Sequence, residues 1–119
     1  MSIYRELILD HANNPRNTGI IVKKTKTVLV FNSLCGDKVR MDIVFKNNRV
    51  ADIKFIGQGC AISKAASSML TEYAKGKKKK ELKKLTKTDI MNLLKIDLGP
   101  NRVKCALLPL EALKKLLIT

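Results

Sequence analysis

The sequence predicts an α+β domain, in which a small three-stranded antiparallel sheet has helices packed on one face. Three observations lead there. Apolar and polar residues alternate with a period of two through residues 24–55, and two clusters of turn formers divide that run into three strands. Apolar residues recur at helical spacing before and after it. Strands grouped together, rather than interleaved with helices, give an antiparallel sheet with its helices segregated. At 119 residues, 45% of them hydrophobic, the chain is expected to form a single domain over residues 1–119. A core of that size needs neither disulfides nor a structural metal.

Residues 2–11 place Ile3, Leu7 and Ile8, with Tyr4 and His11, along one helical stripe, and Ser2 stands as the N-cap. Asn13, Asn14, Pro15, Arg16, Asn17 and Gly19 are dense turn formers and end that helix in an ordered loop. The first strand covers residues 24–31, rich in β-branched side chains. After a break at residues 34–37, Val39, Met41, Ile43 and Phe45 alternate with Arg40, Asp42, Val44 and Lys46 as a half-buried second strand. Asn47 and Asn48 tolerate positive φ and make a tight hairpin. Ala51, Ile53 and Phe55 then mark the third strand, interrupted by Gly57 and Gly59.

Beyond Cys60, residues Ile62, Ala65, Ala66, Met69, Leu70 and Tyr73 form a helical stripe whose small neighbours permit close packing on the sheet. That helix ends near Lys75 and Gly76. The run from Lys77 to Lys80 reads as the solvated start of a further helix, with a phosphate-binding patch as the alternative. Thr86 and Asp89 are spaced as a capping box, and Gly99 and Pro100 stop the element that follows. Leu107, Leu110, Leu113, Leu116 and Leu117 line a last helix. Because Pro109 cannot donate a backbone hydrogen bond, this helix either begins at or after Cys105 or bends beside it.

Lys and Arg total 24 against 10 acidic residues, a formal charge of +14. So basic a chain raises a nucleic acid or an anionic membrane surface as partner. The excess is mostly lysine spread along the chain, and aromatic residues are only 4%, too few for base-stacking platforms. No specific nucleic-acid partner is expected. Nor is a membrane partner, since no apolar run is long enough to span a bilayer; with no signal-peptide pattern at the N-terminus, a cytoplasmic location is expected.

Three cysteines, at 35, 60 and 105, are odd in number and widely spread, which argues against a disulfide framework. Each is placed beside a glycine, a proline or a helix start rather than within an apolar stripe. Cys60 precedes a helix, where unpaired N–H groups and the positive end of the macrodipole favour a thiolate. Cys35, Gly36 and Asp37 occupy the break between the first two strands, on the side where the third strand ends. Cys35, Asp37, Cys60 and Cys105 therefore form a candidate four-ligand metal site, against the alternative of three separate buried thiols.

Four blocks carry a resemblance: YRELILDHANNPRN at 4–17, NSLCGD at 32–37, GQGCAISKAASSMLTE at 57–72 and RVKCALLPLEAL at 102–113. In this order they resemble the iron–sulfur cluster assembly scaffold family, comprising the IscU, SufU and NifU N-terminal proteins, along nearly the whole chain. The family's fold, of the SufE/NifU-like type, is the one the periodicity predicts. The resemblance implies a scaffold rather than an enzyme. In such a scaffold Cys35, Asp37, Cys60 and Cys105 hold iron and a transient [2Fe-2S] cluster, and Cys35 or Cys105 accepts persulfide sulfur from a cysteine desulfurase. Recipient apoproteins and an iron donor are the other implied partners; the oligomeric state is not implied.

Two departures give the alternative. Lys104 stands where the IscU branch has histidine, as in the SufU-like pattern of a zinc-bound sulfur acceptor that activates a desulfurase, with sulfurtransferase activity of its own as the enzymatic variant. Yet the interval between Cys60 and Cys105 leaves no room for the SufU insertion. Residues 98–102 match the chaperone-recognition segment of the IscU branch only in part. Tyr4 either contacts the desulfurase or packs in its helix.

Overall fold

The computed structural model describes residues 3–32, 36–95 and 98–118, without the side chain of Asn101. In chain order the elements are α1 (Ile3–Asn13), β1 (Lys26–Asn32), β2 (Asp37–Lys46), β3 (Arg49–Gln58), α2 (Ala61–Ala74), α3 (Lys79–Lys83), α4 (Lys87–Leu94) and α5 (Pro100–Leu116). The strands form an antiparallel sheet in the order β1-β2-β3. Asn32 pairs with Asp37 at one end, and Val39 with Gly57 next to it on the other side. The ends of β1 and β3 and the beginning of β2 thus share one edge of the sheet, as a meander requires.

The period-two pattern sets the buried face along most of the sheet, but a register shift at Val44/Phe45 leaves Ala51 exposed and turns Val50 inward in its place. Val39, Met41 and Ile43 on β2 and Val50, Ile53 and Phe55 on β3 are at most 1% exposed. Helix α2 packs on β3, and α5 packs on β1 and β2. Because α1, α4 and α5 all contact α2, its serines and Thr71 are as buried as its apolar stripe. Small side chains there let three neighbours approach one helix. Both hairpin asparagines adopt positive φ, Asn47 at 53° and Asn48 at 61°. Thr86 and Asp89 make the reciprocal capping box that their spacing predicts.

Several details differ from expectation. Gly57 does not interrupt the third strand, because β3 continues through it to Gln58. Gly99 and Pro100 do not stop an element but open α5, with Gly99 at the N-cap and Pro100 in the first turn, where its missing N–H costs nothing. Helix α5 then runs through Pro109, so Cys105 lies more than one turn inside it rather than at its start. On α1 only Ile8 and His11 are buried, while Ile3 and Leu7 remain exposed; Ser2 lies outside the described residues. The lysine run is pinned to the sheet before α3 begins, with Lys78 bridging Arg49 and the Lys79 N–H donating to the Asn48 carbonyl.

The outer face of the sheet carries one feature that alternation does not foretell. Residues 17–19 run beside the free edge of β3, where the Phe55 N–H donates to Asn17 and the Gly19 N–H donates to Phe55. The chain then crosses to β1. Asp42, which the alternation puts on the solvent face, is only 1% exposed beneath that crossing. Its carboxylate accepts from the Ile21 N–H at 3.0 Å, the Thr27 hydroxyl at 2.5 Å and Arg40 at 3.3 and 3.4 Å. Burial pushes its carboxyl up, but these donors outweigh burial and hold it below the usual carboxylate range.

Candidate metal centre

The structure brings together three of the four residues singled out in the sequence. Asp37 opens β2, Cys60 is the N-cap of α2, and Cys105 projects from α5. One carboxylate oxygen and two sulfurs lie within 4.8 Å of one another. Cys35 lies outside the described residues.

Each position has a local cause. Gly36 adopts φ +70°, and its N–H donates to the Asn32 carbonyl at 2.9 Å, closing the turn that delivers Asp37 to the sheet edge. Asp37 is fully buried. Its Oδ1 accepts the Cys60 N–H at 2.9 Å, and its Oδ2 lies 3.6 Å from the Cys60 Sγ, within reach of the thiol proton. One oxygen is therefore committed to the start of α2 and the other faces sulfur.

Gly59 makes this contact sterically feasible. Its φ is +130°, and a Cβ built there would sit 1.9 Å from Asp37 Oδ1 and 2.9 Å from Asp37 Cα. Gly59 thus admits the Asp37 carboxylate, whereas a Cβ on Gly57 would meet Phe55 at an ordinary 3.6 Å. Cys105 is 3% exposed and Cys60 partly exposed, so Cys60 is the donor residue that solvent reaches most. Lys104 is exposed on α5 and lies outside the donor group.

The donor set suits a soft or borderline cation. Two thiol sulfurs favour zinc or iron, and a single carboxylate oxygen is a harder, weaker ligand. A buried carboxylate meeting two sulfurs on three separate elements is an unusual arrangement for filler side chains, whose polar atoms find partners within their own neighbourhood. His11, the only histidine, is not part of it. Its Nδ1 lies 2.7 Å from the Ser68 hydroxyl, which also accepts the Arg16 N–H at 2.8 Å, so it ties α1 and the following loop to α2. Burial, reinforced by the Arg16 charge, pushes the His11 pKa down.

Comparison with known proteins agrees with this architecture. The NifU-like N terminal domain family matches residues 3–118. A zinc-dependent sulfurtransferase SufU of Bacillus subtilis is 37% identical over 131 aligned positions, covering 96% of this chain and 88% of that protein. An iron–sulfur cluster assembly scaffold protein IscU of Archaeoglobus fulgidus is 38% identical over 116 positions, covering 98% and 75%. The crystal structure of a SUF-system scaffold protein from Fervidobacterium islandicum superposes with a TM-score of 0.85 at 30% identity, covering 95% of each chain. With the family spanning all but the terminal residues and the fold and donor group in place, the chain belongs to the NifU-like N-terminal domain family.

Proposed function

We propose that this protein is an iron–sulfur cluster assembly scaffold, which receives sulfur from a cysteine desulfurase, builds a transient [2Fe-2S] cluster and passes it to apoproteins. The observation that carries the reading is the convergence of Asp37, Cys60 and Cys105 within 4.8 Å. Relatives named as scaffolds, aligned over nearly the whole chain, support it.

In this reading Cys35, Asp37, Cys60 and Cys105 hold the iron and the growing cluster as cargo. Cys35 or Cys105 takes up sulfur by attack of its thiolate on the outer sulfur of the desulfurase persulfide, displacing the desulfurase thiolate. The exchange is redox-neutral, as in thiol–disulfide exchange. Cys60, fixed by its N-cap position, serves as a ligand. The carboxylate supplies a weaker bond than a thiolate, which suits a site that must release what it holds.

A second reading is a zinc-bound sulfur acceptor. It is favoured by the exposed Lys104 beside Cys105, a cation that adds no ligand to the donor group. Anaerobic incubation with a cysteine desulfurase, cysteine, ferrous iron and dithiothreitol as reductant separates the two. The scaffold reading expects a visible cluster spectrum that is lost in Cys60→Ser. Tightly held zinc with faster desulfurase turnover and no spectrum would replace it with the second.

A further inference from the structure

Apart from the donor group, a groove of about 710 Å³ lies between β1 and α5, within the size range of specific ligand clefts. Its apolar lining includes Phe31, Leu107 and Ile118. Phe31 and Ile118 are 64% and 68% exposed, large apolar side chains left uncovered. Among the described residues four lysines, Lys87, Lys104, Lys114 and Lys115, also line it, against one acid, Glu111. That acid already faces Lys115 at 3.5 Å. At its other end the groove reaches Asn32 and Lys104, sequence neighbours of the turn before Asp37 and of Cys105.

We propose that this groove docks an acidic, amphipathic segment of a partner protein, with apolar side chains over Phe31, Leu107 and Ile118 and carboxylates against the lysine rim. Charge decides the occupant. A second copy of this chain would bring another +14 charge to an already cationic rim, whereas an acidic segment neutralises it. Apolar lining decides against a purely polar anion, which would leave Phe31 and Ile118 uncovered. Docking here holds a partner against Lys104, the sequence neighbour of Cys105. The inference adds a partner surface to the proposed scaffold role, and its test needs no cluster.

The probe is a fluorescein-labelled peptide of sequence ELDELLEF, read by fluorescence anisotropy against the full chain. Two control peptides carry serine in place of the apolar residues, or glutamine and asparagine in place of the acids. The proposal expects both controls to bind at least tenfold more weakly than the parent. It expects the pair Lys87→Glu/Lys115→Glu to weaken the parent at least tenfold, and Phe31→Ser to weaken it several-fold. The pair Lys78→Glu/Lys80→Glu, with the same net charge but outside the groove, should change it less than twofold. All three substituted proteins alter exposed or partly exposed side chains, and circular dichroism checks their fold.

Equal weakening by the two lysine pairs, or undiminished binding of the serine peptide, would show general charge attraction and overturn the proposal. So would a groove-dependent attachment to phosphatidylserine vesicles without peptide binding, which assigns the groove to a lipid surface. A groove-dependent dimer in sedimentation equilibrium without peptide binding would assign it to a second copy and overturn the proposal equally.

Discussion

Gly59→Ala is the sharpest perturbation of the candidate metal centre, because one methyl group tests both the fold and the donor geometry. The new Cβ would begin 1.9 Å from Asp37 Oδ1, so the carboxylate or the α2 start must yield by about 1 Å to restore normal contact. Backbone at φ +130° adds strain of about 1–3 kcal/mol for a residue with a side chain. Loss of the charge-assisted bond from the Cys60 N–H adds about 1.5–3 kcal/mol, and a stiffer unfolded chain returns about 0.4–1 kcal/mol. The net is a destabilisation of about 3 kcal/mol, or a Tm lower by about 10 °C for a chain of this length. Thermal unfolding of chelator-treated protein measures this term without any metal. Equilibrium dialysis against zinc then reads the displaced carboxylate as weaker binding. Gly57→Ala is the internal control, since its Cβ meets Phe55 at 3.6 Å and the Lys38 carbonyl oxygen at 3.8 Å, both ordinary contacts, and should leave both readings close to those of the parent. If Gly59→Ala unfolds and binds zinc as Gly57→Ala does, the steric account of the Asp37–Cys60 contact is wrong.

Other outcomes follow from the same coordinates. His11, whose pKa lies below its unfolded value of 6.5, stabilises the fold fully above that pH, and the contribution is lost as pH falls through its lowered folded pKa. Urea midpoints should therefore drop on acidification below about pH 6.5, and His11→Gln should flatten that part of the profile. Asp42 has a folded pKa below the ordinary carboxyl value of 3.8, so its contribution is present above about pH 3.8 and disappears below it; Asp42→Ala should cost about 3 kcal/mol at neutral pH by urea unfolding. Thr86→Ala, which removes the reciprocal cap of α4, should cost about 1 kcal/mol by the same measurement. Asp37→Ala should weaken zinc binding in dialysis while leaving all three thiols titratable with a thiol reagent in unfolded protein.

What the sequence disclosed depended on how local the cause was. The Asn47–Asn48 hairpin and the Thr86–Asp89 cap are written in neighbouring residues, and the structure reproduces them; the strand faces follow as well except past the register shift at Val44/Phe45, where Val50 is buried in place of Ala51. The approach of Asp37 and Cys60 was legible because a meander places the start of β2 and the end of β3 at one sheet edge. Cys105 was assigned correctly to that neighbourhood but wrongly to a helix start. A Gly-Pro pair punctuates equally well after a helix or before one, and only the packing of α5 decides. The burial of Asp42 depends on a crossing segment that reaches it from twenty-one residues away in the chain, a contact no local pattern announces. Gly59 had a visible signal, a glycine directly before a cysteine, but its true neighbour lies twenty-two residues back in the chain.

The three donors stand on β2, α2 and α5, segments far apart in sequence that meet only when the whole chain is folded. An ion held among them would act as a cross-link, joining the sheet edge to two helices at one point. Mass action then ties occupancy to folding, and each tenfold excess of ion over its dissociation constant adds about 1.4 kcal/mol to stability. The linkage runs in both directions. A partner that eases α5 away from the sheet would lower affinity at the donors without touching any of them, so the packing of a single helix can govern how firmly the cargo is kept.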